Sequence, residues 1–347
     1  MSIMDQWHFE THIQNEALIN ELKGGLFEYQ VGRLLAQNVE SEDQFITASD
    51  ASELDRLKAY EIWLRQYDPH LLKQIPHLAM RAKEKLIEIL PSHFEVAWVG
   101  KKAAGSGVAD VCEADLVIYQ KSPSGKLSNP EFISLKLCKS HAYVNTKSGG
   151  CHSFIAKYFA SFGSLADEIQ KKFNHNMDRA FWEMGENLYQ AMDLGTFQGT
   201  FDQEWQIRQL PELPGQLTPE LKRFVHNYYF CMIRELHLAF TLLIEKEPEL
   251  FRQCLWPLLG LGARNIIQLV CFHETKKDIG AYQFHSLALI REKDVESALM
   301  NYRLEALKPE ISSFLIDCAP YKLQLRLKPM NKFTAKSLKV NCSILGH

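Results

Sequence analysis

Two short apolar runs, joined by a polar segment rich in turn-forming residues, constrain this chain more than any other feature. The runs are Ala-Asp-Leu-Val-Ile-Tyr at 114–119 and Phe-Ile-Ser-Leu-Lys-Leu at 132–137, with residues 120–130 between them. Such runs, separated by Ser, Pro, Gly and Asn, are typical of a hairpin of two strands. Asp115 would then lie at the mouth of one strand and Lys136 at the end of the next. The pattern predicts that their side chains converge on one point.

The rest of the sequence predicts a mixed α/β fold. Gly24-Gly25 interrupts the first helical pattern and favours a helix start near Gly25. Residues 138–150 are predicted to form a loop, and residues 195–217 a connection. The periodicity predicts helices over residues 14–38, 50–64, 70–90, 153–191, 218–259 and 295–307, and strands over residues 94–100, 114–119, 132–137, 265–272, 282–290, 314–318, 321–327 and 338–344.

Composition bounds the function classes. The net charge is −3, so a nucleic-acid contact must use a local basic surface. The eight cysteines form no Cys-x-x-Cys pair, which favours reduced thiols over a disulfide framework. Cys151-His152 and Cys271-Phe272-His273 could each be half of a zinc site, but neither has a matching second pair. Buried thiols are the preferred interpretation.

Targeting signals are not evident in the sequence. The N-terminus lacks a basic region followed by an apolar one, and the longest apolar stretch, around 255–261, is too short to cross a bilayer. These patterns predict a soluble, cytoplasmic protein without a membrane partner.

Two polar segments are candidate nucleic-acid contacts. Segment 138–150 holds Lys139, Asn145 and Lys147 beside paired glycines, and it could bind a phosphate or be a solvated loop. Segment 326–339 contains cations and no acidic residue. It is predicted to form a basic hairpin that follows a nucleic-acid backbone, although edge-strand cations also prevent sheet aggregation. Its candidate residues are Lys328, Asn331, Lys332 and Lys336.

A third acidic group lies on the first predicted helix, where Glu28 stands among apolar residues. A carboxylate at such a position is costly unless it is paired or holds a cation. The predicted elements follow one another as a helix with Glu28, a strand, a strand opening with Asp115, a strand ending with Lys136 and a helix. This order resembles that of the PD-(D/E)XK nuclease superfamily. That superfamily has an αβββαβ core. The resemblance covers roughly residues 16–190, with a final core strand over 265–272.

The resemblance implies a role for each matched residue. Asp115 would bind a metal ion, Lys136 would serve the attacking water, and Glu28 would support the metal shell. The backbone carbonyl of Leu135 would point at the metal. The chain departs from the family at Ser134, where a second acidic residue is expected. Some members carry a non-acidic residue there.

Two acidic residues upstream of the first apolar run, Asp110 and Glu113, could supply the charge that Ser134 lacks. The resemblance implies a restriction-endonuclease-like core with a helical insertion and C-terminal β strands. The expected regions are a nuclease-like core with N-terminal helices over 1–195, a helical insertion over 196–262, and the remaining core strand with a basic β region over 263–347.

The implied activity is Mg²⁺- or Mn²⁺-dependent endonuclease hydrolysis of DNA phosphodiester bonds. Sequence-specific, restriction-type cleavage and a homodimer both stay open. Hard oxygen ligands beside a lysine suit this chemistry. The alternative that Ser134 favours is a catalytically inactive nuclease fold that binds a nucleic acid. An effector-like protein with a protein partner is a third reading of the same fold.

Overall fold

The computed structural model describes residues 12–99, 114–121, 127–140, 142–260, 266–276, 281–329 and 332–345. Its helices are α1 (His12–Asn38), α2 (Glu42–Ala48), α3 (Ala51–Tyr67), α4 (Pro69–Ile87), α5 (Phe154–Tyr158), α6 (Ser164–Ala191), α7 (Gln203–Ile207), α8 (Pro219–Lys246), α9 (Pro248–Leu255) and α10 (Glu292–Leu299). Its strands are β1 (Phe94–Trp98), β2 (Leu116–Lys121), β3 (Leu127–Lys139), β4 (Val144–Gly150), β5 (Ile266–Lys276), β6 (Ala281–Ile290), β7 (Arg303–Leu304), β8 (Ser313–Cys318), β9 (Tyr321–Pro329) and β10 (Leu338–Leu345). The fold is mixed α/β, as the sequence predicts.

The chain divides into two compact units that interleave in sequence. The first holds Met1–Val144 and Leu261–Val295, and the second holds Asn145–Gly260 and Glu296–His347. The chain therefore leaves the first unit after β3 and returns to it for β5 and β6. The three-part division at residues 195 and 262 stays a prediction.

A mixed five-stranded sheet forms the centre of the first unit, in the order β1-β2-β3-β5-β6. The β1–β2, β2–β3 and β5–β6 pairs are antiparallel, which confirms the predicted hairpin. Strands β3 and β5 are parallel neighbours. Parallel neighbours require a long crossover connection, and here that crossover includes the second unit's residues 145–260.

Apolar side chains of α1, α3 and α4 and of the sheet form the core of the first unit. Leu116, Ile133, Leu135 and Leu269 contribute from three neighbouring strands, and each is at most 1% exposed. In strand β3, Leu135 alternates with Ser134 and Lys136, so these two polar side chains project from the other face of the sheet. Packing of one face thus fixes the direction of the site residues.

The first helix continues without a break through Gly24-Gly25, so the predicted start near Gly25 is wrong. Close tertiary packing occurs at Gly25 and at Gly32, further along the same helix. A Cβ on Gly25 would come within 3.3 Å of the Tyr60 ring of α3, and one on Gly32 within 2.8 Å of Leu116 and Phe45. Glycine at 32 therefore lets α1 approach the start of β2, directly beside Asp115.

We expect Gly32→Ala to destabilise the first unit by about 1–3 kcal/mol, because the added methyl must displace Leu116 or Phe45. The matched control is Gly24→Ala, since a Cβ there meets only Glu28 at 3.7 Å. That control should stabilise the helix by up to about 1 kcal/mol. Urea unfolding followed by circular dichroism compares the two variants. Equal stability changes would contradict this account of the close approach.

The second unit contains a five-stranded sheet in the order β4-β10-β9-β8-β7. Its C-terminal strands β8, β9 and β10 confirm the predicted ones. The predicted loop over 138–150 is wrong from Val144 onward, because β4 pairs with β10. The long helix predicted from 153 is also wrong in part: Gly163, at φ +58°, separates α5 from α6.

Aromatic packing orders the connection predicted over 195–217. Phe197 and Trp205 are each 1% exposed, and α7 begins at the Asp202 cap, whose carboxylate accepts from the Glu204 and Trp205 amides. Trp205 and Phe333 pack edge to face. The connection is therefore anchored to the second unit by the buried side chains of Phe197 and Trp205, while most of its other residues are exposed or half-buried.

The described cysteines are free thiols, five of them buried. Burial raises the pKa of the Cys151 and Cys271 thiols to about 12, so both stay protonated at neutral pH. None of the helices in the described residues combines the length and the apolar character needed to span a bilayer.

Candidate active site at the start of strand β2

Asp115 lies one residue before β2, at a position where β3 has no strand residue of β2 beside it. Its Oδ2 atom accepts a hydrogen bond of 2.6 Å from the Leu135 amide and one of 3.4 Å from the Ser134 hydroxyl. The Asp115 amide in turn donates to the Ile133 carbonyl at 2.8 Å. The carboxylate thereby extends the hydrogen bonding between β2 and β3 by one residue before the start of β2.

Lys136 reaches the same oxygen. Its Nζ lies 3.5 Å from Asp115 Oδ2, and the two side chains are 33% and 18% exposed. Three protein groups therefore converge on Oδ2, while no described residue forms a hydrogen bond with Oδ1. A carboxylate held by one oxygen with the other available is arranged as a cation ligand would be.

The charge of Glu28, on α1, also acts on this lysine. Burial alone would lower the pKa of Lys136, but the Asp115 and Glu28 carboxylates outweigh it, so that the pKa is raised above its ordinary value. The structure thus brings two of the predicted site residues, Asp115 and Lys136, into contact, and Glu28 is near enough for its charge to raise the pKa of Lys136. Lys136 is an ammonium group at neutral pH and can donate hydrogen bonds but not accept a proton.

The backbone of Leu135 also faces this site. The Ile133 carbonyl points toward β2, because it accepts from the Asp115 amide. Peptide groups two residues apart on a strand point to the same side, so the Leu135 amide and carbonyl are both directed toward Asp115. The predicted carbonyl ligand is therefore on the correct side of β3.

Ser134 occupies the position of the expected second acid and is 2% exposed. Among the described residues, no group of three or more His, Cys, Asp or Glu side chains could hold a metal ion. Asp110 and Glu113, proposed to supply the missing charge, lie outside the described residues.

Sequence reasoning missed a polar residue in the neighbouring strand. Gln268 lies on β5 in register with Ser134 and is 1% exposed. Its Oε1 atom is buried and has no hydrogen-bond partner among the described residues. The signal was present in the sequence, as a single amide within the run Ile-Ile-Gln-Leu-Val-Cys-Phe at 266–272.

A second buried polar pair lies further along β5, where His273 meets Lys23 of α1. Lys23 Nζ is 3.4 Å from His273 Nε2, and the two residues are 4% and 0% exposed. Burial, followed by the charges of Lys23 and Lys139, lowers the pKa of His273 to about 4. The imidazole is therefore neutral at pH 7, and Nε2 accepts from the lysine ammonium. His273 is therefore a neutral histidine buried in the core.

The pH dependence of stability should reveal this histidine. Its pKa is lower in the folded chain than the ordinary 6.5, so the unfolded chain binds more protons between pH 6.5 and 4. Stability is therefore intact above pH 6.5 and falls as the pH drops, by up to roughly 3 kcal/mol. Urea unfolding at pH 7 and pH 4.5 should show a smaller loss for His273→Gln than for the parent chain. An equal loss would contradict the buried neutral imidazole.

The predicted nucleic-acid contacts fall into both units. Lys139 is exposed at the end of β3 in the first unit. Asn145 and Lys147 belong to β4 in the second unit, where Asn145 accepts a hydrogen bond of 2.9 Å from Ser343. These last two residues are thus part of a sheet rather than of a phosphate-binding loop.

Two predicted lysines in the C-terminal segment are paired with acids of the second unit. Lys332 forms an ion pair with Glu212, and Lys336 lies 3.2 Å from Asp178. Their charges are thereby partly neutralised. Asn331 lies outside the described residues.

Three cations are crowded on one face of the β9–β10 ladder. Lys328 stands directly opposite Lys339, and Arg326 is two residues along the same strand. Burial, then the charges of Lys339 and Arg326, lowers the pKa of Lys328. No carboxylate of the described residues forms an ion pair with these three residues, which we call the cationic face. Crowded like charges favour the binding of an anion.

No family model matches this sequence. No curated protein matches it either.

Proposed function

We propose that this chain is a metal-dependent endonuclease that hydrolyses DNA, with the restriction-endonuclease-like core that its sequence resembles. The observation that carries the proposal is the contact between Asp115 and Lys136 at the start of β2, where the charge of Glu28 also acts on the lysine. The order of elements supports it: α1 precedes the antiparallel strands β1, β2 and β3, and β5 then lies parallel to β3.

Oxygen donors of the kind that Mg²⁺ and Mn²⁺ prefer would hold such an ion here. They are Asp115 Oδ1, the Leu135 carbonyl and the Glu28 carboxylate. A bound divalent ion would polarise the scissile phosphate and lower the pKa of a water molecule. Among the protein groups, Asp115 is oriented for this task by the Leu135 amide and the Ser134 hydroxyl.

Lys136 supplies positive charge and hydrogen-bond donors. Because its pKa is raised, its role is to orient the attacking water and to stabilise charge on the phosphorane, rather than to remove a proton. Lys136 and Ser134 project from the same face of β3, and the ammonium lies 3.5 Å from Asp115 Oδ2. DNA is the substrate class that the superfamily resemblance favours.

Cleavage of supercoiled plasmid in Mg²⁺ or Mn²⁺ tests this function. We expect Lys136→Ala and Asp115→Asn each to reduce the rate at least about 100-fold, because each removes charge stabilisation at the reacting phosphate. The matched control is Lys121→Ala, an exposed lysine of β2 that pairs with Glu95. It should cleave at the parent rate, and EDTA should abolish cleavage. Unchanged activity in both site variants would show that the site is elsewhere.

Nucleic-acid binding without cleavage is the second candidate function. Ser134 favours it, because a serine is a weaker metal ligand than a carboxylate, and the cationic face supplies a surface for phosphates. In this case binding would be tight and independent of metal ions.

Salt dependence of DNA binding tests the cationic face in either function. Replacing Lys328 and Lys339 together by Ala should weaken binding and reduce the slope of log affinity against log salt by up to about 2, since each phosphate contact contributes about 0.9. The control replaces Lys332 and Lys336, which removes the same charge from residues already paired with acids. Equal losses in the two double variants would contradict a specific role for the cationic face.

A further inference from the structure

Two oxygen atoms without partners among the described residues flank Ser134. One is Oδ1 of Asp115, on the β2 side of Ser134. The other is Oε1 of Gln268, on the β5 side, and Gln268 is only 1% exposed. A buried amide oxygen without a hydrogen bond costs about 1–3 kcal/mol, so its persistence calls for a ligand or an ordered water.

The side chains that carry these two oxygens project from the same face of the sheet. Gln268 is the register partner of Ser134, and residues in register on adjacent strands project from the same face. Asp115 lies on the other side of Ser134 and touches its hydroxyl at 3.4 Å. Neighbouring strands are about 4.8 Å apart, so the two longer side chains can converge above the small serine.

We propose that Gln268 is a metal ligand that replaces the missing second acid, holding the cation with Asp115 above Ser134. The amide oxygen is a hard, neutral donor, which Mg²⁺ and Mn²⁺ accept. The small side chain of Ser134 is then required to leave room for the ion. This inference rests on the proposed function, and it names a residue that the superfamily resemblance does not supply.

Binding of Mn²⁺ to the purified full chain, measured by electron paramagnetic resonance and isothermal titration calorimetry, tests the ligand without relying on activity. Gln268→Met keeps the length of the side chain and removes the oxygen, and Gln268→Glu restores an oxygen with a charge. We expect Gln268→Met to weaken Mn²⁺ binding about tenfold or more, and Gln268→Glu to bind at least as tightly as the parent chain. The control is Gln283→Met, the same substitution at an exposed position of β6 in the same sheet, which should leave the affinity unchanged.

The outcomes separate this inference from the proposed function. If the parent chain binds Mn²⁺ and Gln268→Met binds it equally well, Oε1 is held by water and the ligand assignment is overturned, while cleavage by the parent chain would still support the nuclease. If Gln268→Met loses affinity and Gln268→Glu keeps it, the assignment is supported even where the parent chain cuts no DNA. Failure of the parent chain to bind Mn²⁺ at millimolar concentration would overturn the ligand assignment. Circular dichroism of each variant confirms that it is folded.

Discussion

The hydrogen bond from the Leu135 amide to Asp115 Oδ2, at 2.6 Å, connects the fold of the first unit to its candidate chemistry. Because β2 begins only at Leu116, the Leu135 amide has no backbone partner from a residue of that strand, and a buried amide without a partner is costly. The carboxylate takes that place. The same contact fixes Asp115 beside Lys136 and leaves its other oxygen for a ligand. A charge that is this buried needs compensation, which the lysine supplies, so the two residues depend on one another.

The local patterns of the sequence were sufficient for much of the first unit. Alternation and turn residues predicted the β2–β3 hairpin, and with it the proximity of Asp115 and Lys136, since a hairpin is formed by neighbours in the chain. Partners that are distant in sequence decided the rest. Helix α1 passes through Gly25 because the Tyr60 ring packs there, and β4 is a strand because β10 pairs with it. Neither contact leaves a periodic pattern in the segment concerned.

The candidate site shows the same division. A sequence motif and its context were enough to select Asp115, Lys136 and Glu28. They could not identify Gln268, because only the parallel pairing of β3 with β5 brings it beside Ser134. From composition alone, the lysines of the C-terminal segment were equally good candidates for nucleic-acid binding. The structure distinguishes Lys332 and Lys336, which face Glu212 and Asp178, from Lys328, whose nearest charges are cations. The number of lysines in a segment is therefore a poorer guide to anion binding than the charge of the side chains that lie next to each lysine in the structure.

The central claim is that a divalent cation lies between Asp115 and Gln268, above Ser134. A crystal of the chain soaked in Mn²⁺, with data collected for anomalous scattering from manganese, tests this most directly. The account predicts an anomalous peak within about 2.5 Å of Asp115 Oδ1 and of Gln268 Oε1, on the side of the Leu135 carbonyl. The absence of a peak there, with both side chains ordered and a water molecule bound to Gln268, would contradict it.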